Sequence, residues 1–461
     1  MGNDKSLDLD MTVMAVDDSS FMMKLFIRNL TKIGFKNIIT AVHGMDALEK
    51  MEKNKVDLII SDWNMPEMNG LALLKNIRED ARFNNIPFIM ATAQGDKAKQ
   101  LEAMNAGANG HIAKPFTSEQ LHETIDEAFG LKEELVVHKR ERTITKGKVA
   151  MKMGHIQITD HLALGVLKYQ IQTFQVKPKF FDLETICMPG WNPIQQGLEK
   201  SELDGAFVLA PIAMDIFAYN VPISLILLAH KNGSIFVRSA KHELVENGSV
   251  EDIYYNRVIN IPHKMSVHNM LAHKFLTGLG LSPGVPGEDE NINVHFEVIP
   301  PIQMPQIMKE NDEVAGFIVA EPIGSNAIAR GIARLQFLSS SIWEDHPCCV
   351  VTFQQDFIKE HTDAVYEFSS LLAKAGKFIK ENREKAAEIA ISFLDPQGTL
   401  GLTKPTLLKV LLDPHGIKMD NLYPKLEDLD IMQRYMHTEM GIGKIIDLEK
   451  FVDIRFADVA C

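Results

Sequence analysis

Cysteine is scarce in this chain, with four residues in 461, at Cys187, Cys348, Cys349 and Cys461. So few fit a reducing compartment better than a disulfide framework. Positive charge is also in deficit: 48 Lys and Arg against 61 Asp and Glu give a formal charge of −13. Neutralising phosphates takes a basic face, so the charge argues against a nucleic-acid-binding output. The nearest basic cluster, Lys139-Arg140-Glu141-Arg142, is short and interrupted. No apolar run reaches the length of a membrane span. The opening Met1-Gly2-Asn3-Asp4-Lys5-Ser6 is polar, without the apolar stretch of an export signal, so a cytoplasmic protein is expected. A Gly-rich phosphate loop, a Gly-x-Ser-x-Gly elbow and internal repeats are absent. What remains is ordinary soluble composition, 46% apolar and 24% charged, at a length that predicts two to four domains.

Four apolar runs near the start end in reactive side chains. Met11 to Val16 leads into Asp17-Asp18, Val56 to Ile60 into Ser61-Asp62, Ile86 to Ala91 into Thr92, and Gly110 to Ala113 into Lys114-Pro115. Helical stretches separate them (Phe21 to Ile33, Met45 to Glu52, Leu71 to Ile77, Ala98 to Ala106, Ser118 to Phe129). This alternation predicts a parallel α/β sheet, whose strands present their carboxyl ends to one crevice. There Asp62 is an oxygen nucleophile able to take a phosphoryl group. Asp17, Asp18 and Asp62 would make a hard, all-oxygen Mg²⁺ site. Lys114 would pair with one phosphoryl oxygen and the Thr92 hydroxyl with another. Lys114-Pro115 is a candidate cis bond that would aim the lysine inward. Any one aspartate alone reads as a solvated loop residue; five residues at four strand ends carry the reading together.

These residues, in Val16-Asp17-Asp18-Ser19-Ser20, Ser61-Asp62-Trp63-Asn64-Met65-Pro66, Thr92-Ala93 and Lys114-Pro115-Phe116, resemble a receiver domain of two-component signalling. The likeness is especially close to the stand-alone chemotaxis response regulator and spans about residues 10 to 131. It implies a flavodoxin-like, doubly wound domain of five parallel strands over 11–131, after a tail at 1–10. It also implies phosphorylation of Asp62 by a histidine kinase and a Mg²⁺ site completed by the main-chain carbonyl of Asn64. Thr92 would act as a switch together with His111, which stands where many receivers carry an aromatic. The neutral amides Asn64 and Gln94 assign no dephosphorylation rate.

Residues 132–148 turn charge-rich and read as a linker. From Val149 a second strand–helix alternation begins, including Gly205 to Leu209, Ser224 to His230, and Gly316 to Val319 ending at Glu321-Pro322. Three hundred residues exceed one comfortable core, so two α/β lobes with a ligand cleft between them are expected over 149–410. A helical extension follows at 411–461.

Three blocks, Glu202 to Pro211, Val314 to Pro322 and Trp343-Glu344-Asp345-His346-Pro347, are similar to the solute-binding proteins of nitrate, bicarbonate, sulfonate and taurine transporters. That resemblance implies a type II periplasmic-binding-protein fold. It places Trp191, Leu209, Ala210, His263 and Glu321 at the cleft. Leu209 stands where nitrate and bicarbonate binders carry a polar amide, and an unpaired buried anion is costly. Glu321 would repel an anion or hold an amine or hydroxyl. Taken singly, Trp191 reads equally as a packed aromatic, His263 as a structural histidine and Glu321 as a capping or surface carboxylate. Metal sites look weak here: His263, His268 and His273 fan around a helix. Neighbouring Cys348 and Cys349 in a strand-like run would point to opposite faces.

The expected function is a cytoplasmic response regulator coupled to a small-molecule sensor, without enzymatic activity beyond its own phosphoryl transfer and autodephosphorylation. The alternatives are an iron-dependent enzyme resembling the thiamine-pyrimidine synthase of the same superfamily, which carries a longer cysteine cluster, and a transport-associated solute-binding protein.

Overall fold

The computed structural model describes residues 7–93, 97–114, 116–131, 142–242, 249–285 and 291–461. The chain divides into two compact units, the first within residues 7–131 and the second within residues 142–284 and 291–461.

The first unit runs β1 (Thr12–Val16), α1 (Ser20–Ile33), β2 (Asn37–Ala41), α2 (Gly44–Met51), β3 (Leu58–Asp62), α3 (Gly70–Glu79), β4 (Phe88–Ala93), α4 (Lys97–Asn105), β5 (Gly110–Lys114) and α5 (Ser118–Ala128). Its strands pair in parallel in the order β2-β1-β3-β4-β5, the flavodoxin-like doubly wound arrangement. The two-residue period of the strands feeds two cores. Val13 and Ala15 of β1 pack with Phe26, Leu30, Leu121 and Ile125, while Met14 and Val16 pack with Leu73, Leu74 and Ile77 on the other face. Side chains start the helices: Ser19 accepts from the Met22 N–H, Asn69 from the Ala72 N–H, and Thr117 and Gln120 form a reciprocal capping box.

The second unit opens with β6 (Ile144–Thr145), β7 (Lys148–His155), α6 (Leu162–Gln172), β8 (Phe181–Cys187), α7 (Trp191–Glu199), β9 (Gly205–Leu209), α8 (Ala210–Ala218) and β10 (Ile223–Leu228). The chain then crosses to a second sheet through β11 (Ser234–Ser239), β12 (Arg257–Ile261), α9 (Val267–Gly278), β13 (Pro283–Gly284), β14 (Val294–Val298), α10 (Met304–Glu310), β15 (Val314–Ala320), α11 (Ile323–Ala329) and β16 (Ala333–Leu338). It returns to the first sheet as β17 (Cys349–Gln354). Two sheets, β10-β17-β9-β7-β6 with β8 on β7, and β13-β14-β12-β15-β11-β16, define two lobes joined by the crossings after β10 and before β17. This is the two-lobed α/β architecture expected from the sequence. The helices α12 (Gln355–Glu360), α13 (Thr362–Glu381), α14 (Arg383–Leu394), α15 (Lys404–Leu412), α16 (Leu426–Thr438), α17 (Leu448–Phe451) and α18 (Arg455–Ala460) follow. Of the last three, α16 packs on α9 and α8, α17 on β10, and α18 on α13 and β10.

One stretch read as linker differs in structure. Arg142, almost wholly buried, donates to Asp204 at 2.8 Å and pairs with Asp356 and Glu360, anchoring the start of the second unit. Residues 132–141 lie outside the described residues. No described helix is long and apolar enough to cross a membrane.

Candidate functional site

Because β1, β3, β4 and β5 run parallel, their carboxyl ends meet at one edge, where the winding direction reverses between β1 and β3. Asp17 and Asp18 follow β1, Asp62 ends β3, Thr92 lies within β4 and Lys114 ends β5. One oxygen from each of Asp17, Asp18 and Asp62 falls within 4.8 Å of the others. The Lys114 ammonium pairs with Asp17 and, at 2.8 Å, with Asp62. The loop leaving β3 passes tightly over it: a Cβ on Gly70 would lie 2.0 Å from the Asp62 carbonyl oxygen.

Electrostatics follow from burial. It pushes the Asp62 carboxyl up to about 6, with Lys114 opposing and Asp17 adding to the rise. Burial and Asp17 also raise Asp18. Burial works against the Lys114 charge, but Asp62 and Asp17 outweigh it and hold the amine above the ordinary lysine value. Three carboxylates against one ammonium leave excess negative charge, and all-oxygen donors of this kind fit a hard divalent cation such as Mg²⁺. Thr92 is buried, its hydroxyl 2.5 Å from Nε2 of His111. Asn64 lies two residues past Asp62, its side-chain oxygen accepting from Lys99 at 3.5 Å. Gln94 and Pro115, and with the latter the expected cis bond, lie outside the described residues.

In the second unit the segment after β7 meets the end of β15. Thr159, in the turn after β7, donates its N–H at 2.9 Å and its hydroxyl at 2.6 Å to the Glu321 carbonyl, which joins the lobes. The residues expected to line an open cleft are buried there. Leu209 and Ala210 carry β9 straight into α8, and the Ala210 N–H donates to the Cys348 carbonyl. Trp191 opens α7, its ring edge-on to His161 at 5.9 Å, and its indole N–H has no partner among the described residues. Glu321 accepts from the Ser325 hydroxyl and N–H, and burial pushes its carboxyl up to about 7. His263 bonds within its own turn, with Met265, and its Nε2 is unpartnered among the described residues; burial lowers its pKa to about 3.

The structure corrects one expectation in this half, that Cys348 and Cys349 point apart. Asp160, His230, Cys348 and Cys349 converge, one donor atom of each within 4.8 Å of the rest, all fully buried. Strand alternation does not separate the two sulfurs, because Cys348 precedes β17 and only Cys349 belongs to its ladder. Pro347, just before it, was the one local signal that the strand starts late. Asp160 and His230 carried none: they sit in a turn and a lobe crossing, and only folding brings them to the cysteines.

The two units thus define a class: a flavodoxin-like receiver joined to a two-lobed fold of the periplasmic-binding-protein type. Residues 13–126 match the response regulator receiver domain family and residues 145–392 the NMT1-like family. The second match covers just over half of the chain, which therefore belongs to the NMT1-like family, its N-terminal domain being a response regulator receiver. That domain is 44% identical over 121 residues to chemotaxis protein CheY1 of Helicobacter pylori, covering 26% of this chain and 98% of that protein. It is 41% identical over 123 residues to CheY-3 of Vibrio cholerae, covering 27% and 95%. Among solved structures, the ligand-binding component of an ABC-type import system from Staphylococcus aureus matches with a TM-score of 0.57 at 19% identity, covering 68% of this chain and 99% of that one. The periplasmic nitrate-binding protein NrtA of Synechocystis gives 0.58 at 18%, covering 69% and 88%. At these identities the structural likeness establishes the fold alone.

Proposed function

We propose that this chain is a cytoplasmic response regulator that accepts a phosphoryl group on Asp62 from a histidine kinase and recognises a small metabolite between the lobes of its second unit. The observation carrying the first half is the convergence of Asp17, Asp18 and Asp62 on Lys114 at the sheet edge. A carboxylate oxygen of Asp62 attacks the phosphorus of a phosphohistidine; the O–P bond forms, the N–P bond breaks, and the imidazole leaves and takes a proton. Asp17, Asp18 and Asp62, with the Asn64 carbonyl, would hold Mg²⁺, which supplies charge neutralisation for the transferring group. Lys114 supplies a second cation within reach of Asp62. The Thr92 hydroxyl is available to a phosphoryl oxygen, and its bond to His111 gives the movement a second residue to shift.

For the second half, buried Leu209 offers no hydrogen bond to a small anion, and Glu321 is held partly protonated at neutral pH. The apolar Leu209 therefore disfavours nitrate. The acidic charge balance supports an output through protein contacts and not through DNA. Free cysteines, two of them buried, accord with a reducing compartment. Beyond phosphoryl transfer and autodephosphorylation at Asp62, no catalysis is assigned.

The test is incorporation of radiolabel from acetyl phosphate: the parent should label in Mg²⁺ and Asp62→Asn should not. Equal labelling of both would end the receiver reading. Calorimetric titration of metabolites with and without an acyl-phosphate mimic then measures coupling, and equal affinities would show that the two inputs are independent.

A further inference from the structure

We propose that Asp160, His230, Cys348 and Cys349 form a site for one divalent transition metal of borderline softness, zinc or ferrous iron, at the edge of the first lobe where the chain crosses to the second. The site is separate from the receiver crevice and does not depend on the function assigned there.

The distances suit a four-coordinate ion. His230 Nε2 lies 2.9 Å from Asp160 Oδ2, and the sulfurs of Cys349 and Cys348 lie 3.5 Å and 3.9 Å from that same oxygen. Metal–ligand bonds of roughly 2.0–2.3 Å place tetrahedral ligands about 3.3–3.8 Å apart, so small shifts complete the geometry. Two sulfurs exclude Mg²⁺ and Ca²⁺, which take oxygen donors, and an imidazole with a carboxylate beside them selects zinc or iron.

Hydrogen bonding alone leaves the cluster unsatisfied. His230 Nε2 faces the Asp160 carboxylate and also, at 3.2 Å, the backbone N–H of Cys349. One ring nitrogen cannot donate to the first and accept from the second. With a proton, it opposes the Cys349 N–H; without one, its lone pair opposes the carboxylate. A cation between nitrogen, oxygen and sulfur removes the second conflict, and a thiolate sulfur can accept the N–H. Among the described residues Asp160 Oδ1 has no hydrogen-bond partner, although fully buried, and a second oxygen on the ion would relieve that cost. The thiols are weak donors and could not satisfy the carboxylate by themselves.

Asp160 comes from the helical turn after β7, His230 and Cys348 from the two crossings and Cys349 from the first residue of β17, so an ion here would fix the segments that join the lobes. The test uses the full chain with the two exposed cysteines removed, Cys187→Ser/Cys461→Ser, which leaves only the buried pair. The reduced, chelator-stripped protein is titrated with Co²⁺. A thiolate-to-cobalt charge-transfer band saturating near about one equivalent, displaced by Zn²⁺ and retained in Asp62→Asn, is expected. Absence of that band, or its persistence after Cys348→Ser/Cys349→Ser, overturns the site. If the latter variant fails to fold, His230→Gln replaces it: unchanged cobalt affinity and spectrum would likewise overturn the proposal.

Discussion

At the receiver crevice, three carboxylates and an ammonium gather at the ends of neighbouring parallel strands, still reached by solvent through Asp18. In the second unit, a carboxylate, an imidazole and two sulfurs gather where a turn and two lobe crossings meet, sealed from solvent. The first is built from strand ends that topology must align, and its oxygen donors suit a hard ion that exchanges. The second is built from a short helical turn, two crossings and the first residue of β17, and its mixed donors suit an ion that stays. Position along the sheet edge makes a reactive site; convergence of crossings makes a fastening.

The comparison breaks most simply at Asp62. Asp62→Asn is expected to reduce label incorporation from acetyl phosphate to background while leaving thermal unfolding of the second unit in place, measured by calorimetry. If both change together, the units are not independent in stability. Next in size, Arg142→Met removes a buried guanidinium from Asp204, Asp356 and Glu360. It should destabilise the second unit by about 3–5 kcal/mol in denaturant unfolding, since the buried Asp204 carboxylate loses its guanidinium and keeps the Lys152 N–H. Phosphorylation of Asp62 should persist.

Glu321 sharpens the contrast through pH. Its folded pKa of about 7 lies above the ordinary glutamate value of 4.5, so the native state holds the proton that the unfolded chain loses first. Stability of the second unit should therefore fall as pH rises from 4.5 through 7, by about 3 kcal/mol in all, and level off above that. Glu321→Gln should remove this slope; an unchanged profile of unfolding free energy from pH 5 to 8 would assign it elsewhere. The smallest effect concerns Mg²⁺. At ten times its dissociation constant it should stabilise the receiver by about 1.4 kcal/mol. Because protons compete for carboxylates raised by burial, the shift should be larger at pH 7.5 than at pH 5 in calorimetric melts. Equal shifts at both would place the ion away from Asp18 and Asp62.

The receiver was legible because its chemistry follows directly on short apolar runs. Once Met11 to Val16 and Val56 to Ile60 are strands of one parallel sheet, Asp17 and Asp62 must be neighbours. The lobes were legible from the same alternation, although β12 and β16, whose charged residues blur the apolar pattern, were not. Cys348 and Cys349 were misjudged because alternation was applied one residue too early.

The sequence by itself determined the two-part α/β organisation, the acidic crevice and its lysine, since local hydrophobic periodicity and strand ends suffice for these. Only the tertiary structure decided that Arg142 belongs to the second unit, that Glu321 and Trp191 are enclosed, and that Asp160 and His230 meet a cysteine pair more than a hundred residues further on. The physical reason is that these contacts depend on how two sheets are joined by their crossings, and no periodicity of a single segment encodes that.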